Sequence, residues 1–113
     1  MVARRYVPGR GDLVWLNFAP VRGHEQDGRR PACVISPRAY NAKAGLALVC
    51  PLTSKTKGYP FEVAVEAKGI RGVILADQIR SVDWRMRNAV RIGSASETAI
   101  AFIQEYLQKL IAE

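Results

Sequence analysis

Residues 23–37 read GHEQDGRRPACVISP, a polar loop that runs directly into a short apolar segment. The only histidine of the chain, His24, stands here beside Glu25, Gln26, Asp27, Arg29 and Arg30. Gly23 and Gly28 bracket the cluster. Pro31 fixes its own φ and biases Arg30 toward extended backbone, and residues 32–35 form a run suited to a buried strand. Acid, base and cation are therefore expected on a loop anchored at its C-terminal end to a rigid strand, a common way of presenting functional groups. A mixed charged loop is also an ordinary feature of a solvated surface.

Outward from this stretch, short strands dominate. Residues 12–18 (DLVWLNF) are apolar on both alternating faces, as in a strand buried on two sides or lining a dimer, and Pro20 is expected to end it. Residues 38–45 predict a turn or short helix stopped by Gly45. Residues 46–50 (LALVC) predict a strand that delivers Pro51-Leu52-Thr53-Ser54 at its end, followed by a basic loop, SKTKGYP. Phe61, Val63 and Val65 alternate as the inward face of the next strand. Gly69 and Gly72 are expected to frame a turn before a strand over 73–76, with further strands over 79–82 and 89–92. Many short strands at close spacing point to a small barrel or sandwich. Ser94 and Glu97 stand at capping-box spacing, and Ile100, Ile103, Leu107, Leu110 and Ile111 follow at helical period, predicting an amphipathic helix on the sheet.

A chain of 113 residues has room for one domain, taken as 1–113, and buries roughly two-thirds of its unfolded surface. Its 49% hydrophobic and 24% charged content is that of a globular protein and argues against disorder. The net charge of +7 favours an anionic partner such as nucleic acid, a membrane surface or an acidic protein. No basic amphipathic helix is visible and no run approaches the ~20 apolar residues of a span, so no membrane partner is expected. The basic N-terminus lacks the apolar stretch of a signal peptide, which makes a cytoplasmic location the expectation. Cys33 and Cys50 lie in apolar runs and read as core filling, and one histidine without a cysteine cluster makes a zinc site improbable.

Several ordered motifs agree on one resemblance. Gly11-Asp12 with the first strand, His24-Glu25-Gln26, Arg30-Pro31, Pro51-Leu52-Thr53-Ser54, Lys57-Gly58-Tyr59-Pro60-Phe61, Asp77-Gln78 and Trp84-Arg85 resemble the MazF/PemK/Kid family of toxin endoribonucleases. The resemblance implies a mainly β (α+β) fold, a small SH3-like β-barrel with a C-terminal amphipathic helix, working as a homodimer. It implies a sequence-specific, metal-independent endoribonuclease without cofactors, the toxin of a type II toxin–antitoxin pair. Its partners would be single-stranded RNA, including mRNA, and an antitoxin with an acidic tail. Cleavage would proceed by 2′-OH attack to a 2′,3′-cyclic phosphate and a 5′-hydroxyl.

Such chemistry needs a base for the 2′-OH, a cation for the crowded phosphorane and help for the leaving 5′-oxygen. A guanidinium matches two phosphate oxygens at once, which suits Arg30, and Arg30 matches the family's active-site arginine. Thr53 matches an active-site threonine of the family and offers a hydroxyl to a phosphate oxygen or to Arg30. The base is open among Glu25, His24 and Asp77. A paired-histidine mechanism is excluded. In the Kid branch the equivalent of Asp77 works with an arginine two residues earlier. Leu75 stands there in this chain, which favours Arg30, Thr53 and Glu25 and leaves Asp77 a structural or RNA-contacting role. Lys55, Lys57 and Tyr59 form one basic, aromatic track for RNA, and Trp84 with Arg80, Arg85 and Arg87 a second. Gln26, Arg29 and Gln78 complete the candidate RNA contacts. Two alternatives from other classes are a non-enzymatic, CcdB-like toxin of the same fold that binds DNA gyrase, and a passive RNA-binding module. The first is recognised by a Trp-Gly-Ile tail, whereas this chain ends Leu110-Ile111-Ala112-Glu113.

Overall fold

A computed structural model describes residues 6–18 and 28–112. Within them the chain runs β1 (Asp12–Asn17), β2 (Arg29–Val34), α1 (Arg38–Ala44), β3 (Ala47–Thr53), β4 (Glu62–Ala67), β5 (Ile70–Leu75), β6 (Arg80–Val82), β7 (Val90–Ser94) and α2 (Glu97–Ile111). The strands form one antiparallel sheet in the order β4-β5-β3-β2-β1-β7, with β6 also paired to β3. The sheet coils until its ends meet: a Cβ placed on Gly93 of β7 would lie 3.1 Å from the Lys68 side chain, just past β4. This is the mainly β, half-barrel form expected from the spacing of short strands.

Two cores, one on each side of the sheet, explain why β1 is apolar on both faces. Leu13, Cys33, Cys50, Leu52 and Ile74 pack beneath Ala99 and Ile103 of α2. Val14, Leu16, Ala32, Val34 and Val49 pack with Val82 and Trp84 on the other side. Trp84 is 5% exposed and its indole N–H donates to the Asn41 carbonyl at 2.9 Å, so it belongs to this core and not to a surface track. Asn41 itself is fully buried and saturated, its amide donating to Pro8 O and Ser36 O and accepting from the Ser36 hydroxyl. Gly45 ends α1 in the left-handed conformation (φ 73°), as expected of a glycine stop.

Several boundaries differ from the sequence expectation. β2 begins at Arg29, so Arg29 and Arg30 belong to the strand and not to the loop. β3 continues through Pro51 and Leu52 to Thr53. Gly72 lies inside β5, opposite Val65, and the turn from β4 to β5 is Lys68-Gly69, both at positive φ. A side chain at Gly72 would overlap the Thr53 carbonyl, so glycine here lets two backbones approach. Ser94 does not cap α2. It is paired with Asp12 as the last residue of β7, and Ser96 caps instead, its Oγ accepting from Ala99 N at 3.0 Å. Leu110 and Ile111 remain 59% and 82% exposed, so the apolar stripe of α2 continues beyond the part that is buried in this chain. The expected stop at Pro20 lies outside the described residues. Among these residues no helix is long and apolar enough to cross a membrane.

Asp12, 6% exposed, ties the N-terminal segment to the sheet. Its carboxylate accepts from the Tyr6 hydroxyl and from Gly9 N, and faces Arg38 and Arg91 at 3.4 and 3.5 Å. Burial, then the Asp12 hydrogen bond, holds the Tyr6 phenol well above its ordinary value. The folded chain thus keeps this proton longer than the unfolded one, and its stability falls as pH rises through and beyond the ordinary phenol range.

Cys33 and Cys50 are free, buried and directly opposed across β2 and β3. Burial pushes each thiol up to about 12, with smaller contributions from Cys50 and Asp12 at Cys33 and from Asp77 at Cys50. Both are expected to resist a disulfide reagent at about pH 8 while the chain is folded and to react fully in denaturant, which thiol titration in the two states checks. Gly72→Ala is expected to lower stability by about 1–3 kcal/mol, the usual cost of overpacking, measured by the shift of the urea unfolding midpoint.

Candidate functional site

Alternation along a strand decides which side chains meet. In β1 and β2, Leu16 is opposite Arg30 and Asn17 opposite Arg29, so the two adjacent arginines point to opposite faces. Arg29 lies over the Trp15 ring at 5.3 Å. Arg30 lies on the other face, in line with Ala32 and Val34. The β2–β3 pairing sets Val34 against Val49 and Ala32 against Pro51, and by strand alternation Arg30 of β2 and Thr53 of β3 fall on the face of those residues. Two residues far apart in the sequence thus share one face of one sheet, held by a packed core beneath.

Arg30 opens onto a hollow of about 400 Å³ lined also by Phe18, Pro51, Gln78, Ile79 and Arg80. Thr53 opens onto a neighbouring hollow of about 210 Å³ with Lys55, Lys57, Tyr59, Leu75 and Gln78. Gln78 lines both, so the two hollows adjoin at this residue and make up one candidate track. Thr53 Oγ1 accepts from Lys55 N at 3.1 Å, which leaves its own proton to donate outward. Tyr59 stacks on Phe61, with ring centroids 5.2 Å apart and planes inclined by 19°, and gives the track an aromatic wall. Arg80 stacks on Phe18 at 4.9 Å from the ring centroid.

Other candidates stand elsewhere or have other partners. Asp77 is exposed and sits in the turn after β5, between lining residues but not itself in either wall. Arg87 Nη1 donates to Asn17 O and Phe18 O at 2.9 Å each, and its guanidinium also lies over the Phe18 ring, so it secures the end of β1. Arg85 lies over the Trp84 ring at 4.8 Å, away from the track. His24, Glu25 and Gln26 lie outside the described residues. Phe18 is a wall residue that sequence reasoning assigned only to a strand, and only its position at the end of β1 could have marked it.

Comparison with known proteins agrees with this arrangement. A model of the PemK-like, MazF-like toxin of type II toxin–antitoxin systems matches residues 9–111. The endoribonuclease toxin MazF of Escherichia coli strain K12 is 46% identical over 107 residues, 95% of this chain and 96% of that one. The endoribonuclease PemK of Escherichia coli is 35% identical over 105 residues, covering 87% and 77% of the two chains. In a MazE–MazF crystal structure from Deinococcus radiodurans, a chain 52% identical superimposes with a TM-score of 0.87 over 96% of this chain and 98% of that one. By family match, by identity along nearly its whole length and by fold, this chain belongs to the PemK-like, MazF-like toxins of type II toxin–antitoxin systems.

Proposed function

We propose that this protein is an endoribonuclease toxin whose strand-borne Arg30 and Thr53 cleave single-stranded RNA drawn along the track through Gln78, Lys55, Lys57 and Tyr59. The observation that carries it is the placement of Arg30 and Thr53 on one sheet face, each opening onto a hollow that Gln78 also lines. The hydroxyl at C2′ of the RNA attacks the adjacent phosphorus, the P–O5′ bond breaks, and the products are a 2′,3′-cyclic phosphate and a 5′-hydroxyl. As the phosphorane forms, negative charge grows on its non-bridging oxygens. A guanidinium fixed by a strand stabilises that charge without reorganising. The Thr53 hydroxyl donates to the same oxygens. Glu25, five residues before Arg30, takes the 2′-OH proton, with His24 and Asp77 the other groups able to do so, and the departing O5′ takes a proton from water to become the 5′-hydroxyl.

Charge and aromatic surface in the track suit a flexible strand better than a duplex. Lys55, Lys57 and Arg80 meet phosphates, while Tyr59 offers a face for a base. The relatives named endoribonucleases cover most of both chains, which supports RNA cleavage over gyrase binding. One chain, residues 1–113, forms a single domain that acts as a homodimer in the cytoplasm. MazF chains of another organism crystallise with MazE, and an antitoxin with an acidic segment is the corresponding partner here, matched to the net charge of +7.

Purified protein incubated with a long single-stranded RNA in EDTA is expected to give discrete fragments with 5′-hydroxyl ends. Arg30→Ala should reduce the cleavage rate by about 10²–10³-fold with an unchanged unfolding midpoint. Undiminished cleavage by that variant would remove Arg30 from the site, and a requirement for added metal would overturn the metal-free scheme.

A further inference from the structure

The segment between β3 and β4 carries three of the track's side chains, and one carboxylate holds its main chain. Glu62, the first residue of β4, accepts from Lys57 N through Oε2 and from Gly58 N through Oε1, each at 3.0 Å. Its own N–H donates to Tyr59 O at 3.1 Å. Gly58 sits at φ 82°, in the left-handed region, which turns the two successive amides toward the carboxylate. Glu62 is half-buried and lines the same hollow as Thr53, Lys57, Tyr59 and Gln78.

An acidic side chain in a cationic track is a liability for binding a polyanion unless it does something else. Its charge repels phosphate, but that repulsion acts through water and is screened over about 8 Å at physiological salt. Its two bonds to main-chain amides are charge-assisted and fix the loop directly. Without them Lys57, Gly58 and Tyr59 must be ordered when the substrate arrives, a cost taken from affinity. We infer that Glu62 is a positioning residue for the substrate, holding the 55–60 loop in its RNA-receiving shape before RNA binds. This deepens the proposed function and rests on it. Arg30 and Thr53 stand on strands, and the loop reaches Thr53 only through Lys55 N, outside the Lys57–Gly58 amides that Glu62 holds, so the effect belongs to binding and not to the chemical step.

The test compares the wild type with Glu62→Gln, Gly58→Ala and the double variant on one cleavable single-stranded RNA. Gln keeps the length but accepts with only one oxygen. Ala at position 58 meets no atom within 4 Å but strains the turn. Each single change is expected to raise KM roughly five- to tenfold with kcat within about twofold of wild type. The double variant should be no worse than the worse single one, because both break the same loop. Tighter RNA binding by Glu62→Gln would show that its repulsion dominates and would overturn the inference. So would an unchanged KM, a fall confined to kcat, or additive losses in the double variant. Failure of the wild type to cleave RNA would instead sink the proposed function, and this inference with it.

Discussion

The pairing of β2 with β3 is the constraint on which the rest of the structure depends. It sets Cys33 against Cys50 in one core and Val34 against Val49 in the other. The period of a strand is two, so a slip of one residue would send both core faces and Arg30 to the wrong sides. Burial of apolar side chains on both faces makes that slip costly in either direction. The placement of Arg30 and Thr53 on one face is therefore a by-product of core packing. Gly72 adds to it from the other edge, where the absence of a side chain lets β5 lie against the Thr53 carbonyl.

The same logic sorts the cations of this basic chain. Arg38 and Arg91 face the buried Asp12, Arg10 donates to Ile35 O, and Arg87 holds two main-chain carbonyls at the end of β1. Arg71 and Lys109 have exposed carboxylate neighbours, contacts worth little in water. Among the described residues, Arg30, Lys55 and Lys57 have no carboxylate partner of this kind, and all three line the joined hollows. A uniform net charge would steer any anion to any face. Among the described residues Lys43, Lys68 and Arg85 also lack a carboxylate partner and stand elsewhere, so only part of the unpaired positive charge faces the hollows of Thr53 and Gln78.

Much of this was legible in the sequence, and what was not has identifiable causes. The apolar alternation of residues 12–18 and 61–65 marked strands and Gly45 marked a helix stop, while Arg30 and Thr53 were singled out through the family resemblance. The strand limits were misjudged where polar or proline residues extend a strand, as with Arg29 and Arg30 in β2 and Pro51 in β3, because pairing with neighbours outweighs local preference. Trp84 looked like a surface aromatic among arginines. Its ring fills a gap between strands distant in sequence, and the Asn41 carbonyl that satisfies its N–H lies 43 positions away. Ser94 has Glu97 at capping-box spacing, but its pairing with Asp12 holds it in β7 and leaves the cap to Ser96. The helical period of α2 continues beyond the part that is buried in this chain, which no periodicity can reveal.

The division of labour between strands and loops follows from these observations. Arg30 and Thr53 stand on elements whose displacement would break two cores, so the two groups proposed to meet developing charge are held by the packed part of the fold. Lys55, Lys57 and Tyr59 stand on a short exposed segment held by one carboxylate and one glycine turn. Changes in that segment disturb no core residue. On the proposed function, substitutions between β3 and β4 would alter which RNA is accepted while Arg30 and Thr53 stay in place, since the strands that carry them are held by buried residues on both faces of the sheet.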